Sequence, residues 1–595
     1  MLKERSQVNI EDTWDLTPMY PSKEVWRKEY EVFSLSGETK FNDIQSFRGK
    51  LGQGANFFFE CLIKIFDTDR KLSQLYTYAQ LYHHQDVAAD EAKQMLGSIS
   101  HLYYEFQEAF SWFDSELLAL SDEKLKQILQ EPKAFEYLTY LHRVIRLKPH
   151  TLSEKEEELL SYGSKVASGP YKIFSAINNA DIKFEKIKDS EGKFHEVSHG
   201  TYHLFLESKD RELRKNAFES IHEGFKKLEN SIAEMLQAHV ATHVFNAKCR
   251  KYNTCLDAAL FPHEIDTKVY FNLIETVKSR IDVMHRYVKF RKEFLSLKKV
   301  HAYDMYLPCI DEISFKFTYD EAVEIIIEAV AVLGKEYQNI LKEGLLSKRW
   351  VDRYENLNKR SGAYSSGCYD SYPYILMNFH GSLSDLLTLA HEAGHSMHSY
   401  LSSKHQPYQY SSYTIFVAEV ASTFNEELVY RHLLSKVKSD QERKFILNKR
   451  IDGIRGTLFR QTLFAEFELK IHQKVEKGEP LTPKILKEIY QELNQEYYGS
   501  DFCSSDQIVY ECLRIPHFYS NFYVYQYATG ISAALALVEK VTQSNDAKSY
   551  LEFLSSGSKD HSLNLLKKAG VDMTTSTPVH VLINQFEHLL SEIQS

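Results

Sequence analysis

Proline and glycine are scarce in this chain, 13 and 23 residues among 595. So few interruptions argue against a collagen-like or Pro/Gly-rich low-complexity organisation and leave long stretches free to be helical. No run of about 18 apolar residues occurs, which excludes an ordinary membrane-spanning helix. The first residues, MLKERSQVNIEDTWDL, lack the apolar centre of a secretory signal, so a cytoplasmic location is expected. Cysteine is sparse too. The seven, at 61, 249, 255, 309, 368, 503 and 512, are odd in number and lack metal-ligand spacing, which argues against a disulfide framework or a thiolate zinc site. Nor is there a surplus of positive charge: 72 Lys and Arg face 82 Asp and Glu, a formal net charge of −10. A nucleic-acid surface as the main business would need concentrated Lys and Arg, so peptides or small molecules remain as partners.

What the chain does hold is ordinary globular material, 43% hydrophobic and 26% charged, in long amphipathic stretches that predict a mainly α fold with minor sheet. The length amounts to several domains, although a large helical enzyme can fuse such lobes into one body. The 38 Tyr and 36 Phe suit helix contacts, and Tyr also suits the wall of a polar cavity. From about 22 to 180 the text is helix after helix without a chemical constellation. Alternating residues around a turn at Asp189, Ser190, Glu191 and Gly192 predict a β-hairpin over 181–199. That hairpin sets the expected seam, with an N-terminal helical lobe over 1–199 and the remainder over 200–595. A second helical run begins near Lys209. Between about 350 and 381, Gly, Ser and Tyr mark a tightly turning loop, and PYILMNF reads as a short strand. An edge strand beside a metal would suit main-chain pairing with an extended peptide.

The pattern His-Glu-x-x-His occurs twice, and secondary structure separates the copies. HEVSH, His195 to His199, falls in the hairpin, where two positions four apart on a strand stand about 13 Å from each other and cannot share a metal. HEAGH, His391 to His395, falls where Leu386, Leu387, Ala390, Ala393, Met397 and Leu401 recur at helical spacing, behind a capping signal at Ser382 and Asp385. On a helix His391 and His395 share one face and can reach one ion, with Glu392 able to flank it without ligating it. A catalytic zinc usually takes a third protein ligand from another element. Glu419, 28 residues after His391 in TIFVAEVASTFNEELVYRHLL, is the candidate, and Glu426 lies two turns further on the same face. Both also read as ordinary solvated carboxylates. The metzincin continuation fails, because positions 398 and 401 are His and Leu, whereas a His2Glu site of thermolysin type survives. AHVATH places His239 and His243 on one helical face as a competing pair, but without an adjacent Glu or a visible third partner it reads as a surface or packing feature.

The runs KRSGAYSSGCYDSYPYILMNF, HEAGHSMHSYLS, FVAEVASTFNEEL and RIPHFYSNFYVYQYATG, in that order, resemble the oligoendopeptidase F branch of the thimet-oligopeptidase-like zinc peptidases of family M3, strongly from about residue 200 onward and more loosely before it. The resemblance implies a two-lobed helical zincin with a deep channel, a small β-sheet near the site, and short peptides as substrates. It implies one Zn2+ held by His391, His395 and Glu419, with Glu392 as general base. It also implies a His followed by Tyr residues that donate hydrogen bonds to the substrate carbonyl. His517 matches the His and Tyr527 the principal Tyr, with Tyr523 a helical turn away and Tyr525 between them. On residues alone, Tyr523 and Tyr527 also read as an aromatic packing stripe.

Two competing readings follow. A zinc aminopeptidase would need an acidic pocket for the substrate's free amine, and a helical peptide-binding scaffold would hold no stoichiometric metal.

Overall fold

Helices dominate this computed structural model because so little interrupts them. The structure describes residues 2–34, 41–310, 313, 315–504 and 507–595. Contacts divide the chain into two units, each made of three separated segments. The first comprises Met1–Thr151, Ser314–Leu433 and Leu537–Gly570, and the second Leu152–Ile313, Leu434–Ala536 and Val571–Ser595.

In the first unit, Ala55–Gln85 forms a 31-residue helix with neither Pro nor Gly inside it, followed by the helix Asp90–Phe110. Phe58, Leu62, Ile65, Leu72 and Leu75 of the one and Ile99, Leu102 and Phe106 of the other join a single buried cluster. Each such side chain contributes about 1.5–3 kcal/mol relative to exposure. A three-stranded sheet packs on this cluster through Tyr374 and Leu376. Its strands are β3 (Val351–Asp352), β4 (Tyr364–Ser366) and β5 (Tyr374–Leu376), in the order β3-β5-β4. β5 pairs parallel to β3 and antiparallel to β4. The strand read from PYILMNF is therefore central, with both edges occupied, and the edge positions belong to β3 and β4. Buried Asp352 on β3 is compensated by Lys359 Nζ at 2.6 Å and by Arg5, which a buried carboxylate requires.

In the second unit, β1 (Ile187–Lys188) and β2 (Phe194–His195) form the expected hairpin. Gly192 at φ +83° donates its N–H to Asp189 O, and the Asp189 carboxylate accepts from the backbone of Glu191 and Lys193. The strand is shorter than the sequence suggests, and His199 is not a strand residue. Ser198 caps a helix His199–Leu206, its side chain accepting from Thr201 N, so a local capping bond takes over where the sequence predicts continued strand. His195 bonds Asp189 at 2.7 Å, and His199 Nε2 bonds Asn178 O at 3.0 Å. No helix among the described residues is long and apolar enough to cross a membrane. Cys61, Cys249, Cys255, Cys309, Cys368 and Cys512 are free thiols.

Candidate metal centre

Ser382 caps the helix Leu383–His405 through a capping box with Asp385. The helix buries Leu386, Leu389, Ala390, Ala393, Met397 and Leu401, and this face fixes its rotation so that His391 and His395 emerge together. A second helix, Ile415–Lys436, crosses it at Gly394. A Cβ on Gly394 would lie 2.4 Å from Ala421 O and 2.6 Å from Ser422 Cα. Only glycine permits this backbone approach, and the approach carries Glu419 to the histidines.

His391 Nε2 and His395 Nε2 lie 3.1 Å apart, and Glu419 Oε2 lies 3.3 Å from the first and 3.5 Å from the second. Three donors bound to one tetrahedral zinc at 2.0–2.1 Å would stand about 3.3 Å from each other. The triangle fits such an ion. It is also the only group of three or more potential ligands this close among the described residues. Glu426, considered earlier only as a neighbour of Glu419, has a distinct place: its Oε1 accepts from His391 Nδ1 at 2.6 Å. That bond fixes the ring's orientation and, once the ring is neutral, the tautomer whose Nε2 lone pair points to the triangle. Its spacing of seven from Glu419 was the signal, but the partner becomes visible only when the two helices are docked.

Glu392 is only 7% exposed and accepts from the Ser365 backbone of β4. Burial raises its carboxyl above the usual range, and His391 and His395 partly offset this. Burial alone would lower His391, but its bonds to Glu419 and Glu426 outweigh that and push it up to about 10. Burial likewise opposes ionisation of Glu419, yet hydrogen bonds from both histidines hold it well below the ordinary carboxylate range. His398, on the same helix, belongs to the packing: its ring stacks on Tyr413 with centroids 3.7 Å apart, and burial lowers it to about 3.

His517, Tyr523 and Tyr527 come together within the second unit. Ring centroids are 6.4 Å apart for His517 and Tyr523, 6.1 Å for His517 and Tyr527, and 5.4 Å for the two tyrosines. The route differs from the expected helical turn, because the helix starts at Tyr525 and Tyr523 precedes it. Phe522, at φ +48°, turns the chain there. A bulky residue in that region is rare and must be held by its surroundings. Its N–H donates to Glu468 Oε1 at 2.6 Å, and its ring packs on His472 at 4.5 Å. Tyr525 is 1% exposed against Tyr270, with centroids 5.1 Å apart, while Tyr523 and Tyr527 are half-buried. Burial lowers His517, which keeps it neutral near pH 7.

The competing pair has a third histidine that its sequence does not reveal. His243 Nδ1 bonds His472 Nε2 at 2.9 Å, and His472 Nδ1 donates to Glu468 O at 2.8 Å. Burial lowers His239 to about 4, His243 to about 2 and His472 to about 4, so these are neutral core histidines.

Comparison with known proteins follows the same lines. Residues 204–582 match the family model described as Peptidase family M3, and residues 116–184 match the one described as Oligopeptidase F. The chain is 42% identical over 596 residues to the protein named Oligopeptidase PepF of Bacillus subtilis, covering 100% of this chain and 88% of that one. It is 37% identical over 598 residues to Group B oligopeptidase PepB of Streptococcus agalactiae, covering 100% and 98%. Among solved structures, a Chlamydophila abortus protein matches with TM-score 0.94 at 42% identity over 100% of both chains. Oligoendopeptidase-F from Enterococcus faecium matches with TM-score 0.73 at 33% identity over 96% of this chain and 98% of that one.

Proposed function

The chain belongs to peptidase family M3 and is a metalloendopeptidase of the oligopeptidase F kind, and from that premise we propose that it uses one zinc ion to hydrolyse internal bonds of short, unstructured peptides in the cytoplasm. The triangle of His391, His395 and Glu419 carries this reading, because its edges match one tetrahedral ion. Bound there, zinc supplies a Lewis acid that polarises the scissile carbonyl and makes water a better nucleophile at neutral pH.

Glu392 takes the proton from the attacking water and passes it to the leaving amine. Its burial suits the first half of that shuttle, since a raised carboxyl is a stronger base and takes the proton from water more readily than an ordinarily acidic one would, while its Ser365 bond holds it in place. Glu426 orients His391. His517 and Tyr527, with Tyr523, donate hydrogen bonds to the carbonyl oxygen as charge develops on it. Support for this role is their clustering and the burial of Tyr525 away from them. The catalytic domain spans 200–595 and the N-terminal helical lobe 1–199, supported by the match over 204–582. The free thiols of Cys61, Cys249, Cys255, Cys309, Cys368 and Cys512 support a reducing compartment.

Glu392→Gln tests the assignment, with one equivalent of zinc retained by elemental analysis and turnover of a quenched peptide reduced by about 10²-fold or more. Loss of zinc in that variant would make Glu392 a ligand and overturn its role as base. Cleavage of N-acetylated peptides separates this reading from an aminopeptidase, which would leave them intact.

A further inference from the structure

A cavity of about 810 Å³ lies in the first unit, along the C-terminal half of the helix that bears His391 and His395. Its walls are mostly aromatic and hydroxylic, with Phe66, Tyr103, Tyr369, Tyr400 and Tyr408 among them. Asp69, on the helix Ala55–Gln85, also faces it. Asp69 Oδ1 accepts from Tyr103 OH and Oδ2 from Tyr408 OH, both at 2.5 Å. Two phenol donors, one on each oxygen, hold the carboxylate in place.

Among the described residues no Lys or Arg pairs with Asp69: Lys404, also in the wall, bonds Glu336 at 3.2 Å, and Arg70 holds Asp370, in the same cavity, through two bonds at 2.5 and 2.6 Å. A carboxylate among aromatic rings without a cation is an unfavourable arrangement for folding alone. It is also the arrangement that recognises ammonium and guanidinium groups, through Coulomb attraction and the negative faces of the rings.

The helix that bears the candidate ligands also carries one wall of the cavity. Ser399 in its wall lies one helical turn beyond His395, and its Oγ bonds Tyr413 OH at 3.0 Å. Tyr413, another wall residue, stacks on His398 and feels the charges of Glu419 and Glu392.

We infer that this cavity is a specificity pocket that takes a Lys or Arg side chain of the peptide substrate, with Asp69 as the charge partner. The inference rests on the peptidase reading above and adds the class of peptide that is preferred.

The test uses the zinc-loaded full-length protein and a set of N-acetylated, C-amidated peptides identical except at one position, which carries Lys, Arg, norleucine or Glu. That position is moved stepwise across the scissile bond. Blocking both ends removes the α-amine, so any preference for a cation comes from a side chain. At one position the Lys:norleucine ratio of kcat/KM should be about tenfold or more, with Glu disfavoured, and in Asp69→Asn the ratio should fall to about one. Ser73→Phe, four residues along the same helix face and lining the same cavity, fills the space without touching the charge and should lower the same ratio. It decides the matter if Asp69→Asn melts early.

Absence of a basic preference at every position, or a preference that survives both variants, overturns the inference while leaving the peptidase reading standing. If no peptide is cut at all, the peptidase reading fails instead. Calorimetry of the Lys peptide against the norleucine peptide then judges the pocket, with equal affinity counting against it.

Discussion

The proton on His391 is the least obvious participant at the scale of single residues. With its Nδ1 on Glu426 and its Nε2 beside Glu419, the ring stays protonated up to about pH 10 in the metal-free protein, yet a metal needs the neutral ring. Glu419 is held ionised and contributes no such competition. Zinc uptake near neutral pH should therefore release about one proton from this ring. Apparent affinity should rise about tenfold per pH unit and level off as pH passes the value of the free ring. Titrations with a chelator of known affinity between pH 6 and 9 check the slope; a flat profile would mean that the free ring is already neutral.

Between elements, the decisive quantity is how closely two helices approach. Alanine at position 394 would gain about 1 kcal/mol in intrinsic helix propensity. Its Cβ, however, would sit 2.4 Å from Ala421 O, and overpacking against backbone costs about 1–3 kcal/mol or more. The clash should win, so Gly394→Ala is expected to lower the melting temperature and weaken zinc binding by about tenfold or more, because Glu419 is carried away from the histidines. An unchanged zinc affinity would show that the second helix adapts.

The segment at 516–527 poses the same question for tyrosines. Tyr527→Phe should lower kcat by about 10²–10³ with little change in KM, if its hydroxyl serves the transition state. Tyr525→Ala should instead cost about 3–5 kcal/mol of stability through lost packing on Tyr270. Near-normal kcat in Tyr527→Phe would return that residue to the packing stripe.

Across the whole molecule, what was legible in the sequence was what is local. The capped helix at Ser382, the shared face of His391 and His395, and the hairpin turn at Gly192 depend on residues within a few positions of each other. Glu419 was legible as a candidate because a zinc site requires a third ligand. The bond from His391 to Glu426 was not, since it exists only after two helices dock. The turn at Phe522 was hidden for a similar reason: nothing local favours a left-handed phenylalanine, and Glu468, which holds it, lies 54 positions away. Asp69 stood in a helical tract that looked chemically silent, because Tyr408 reaches it from 339 positions away.

The threading of the first unit has a consequence for how the protein is made. All three candidate ligands lie between His391 and Glu419, but the unit around them is completed by Leu537–Gly570. There Tyr550 stacks beneath Phe424 with centroids 3.9 Å apart, and Phe553 lies 5.5 Å from His398. Gly557, at φ +48°, fits so closely that a Cβ would come within 2.0 Å of Tyr410 O. A chain ending at Ala536 should accordingly hold no stoichiometric zinc by native mass spectrometry, although it contains every ligand. During translation, the ligands leave the ribosome well before the segment that closes the packing around them, so metal capture belongs to the nearly finished polypeptide, and a stalled or prematurely terminated product is born without the means to cut peptides.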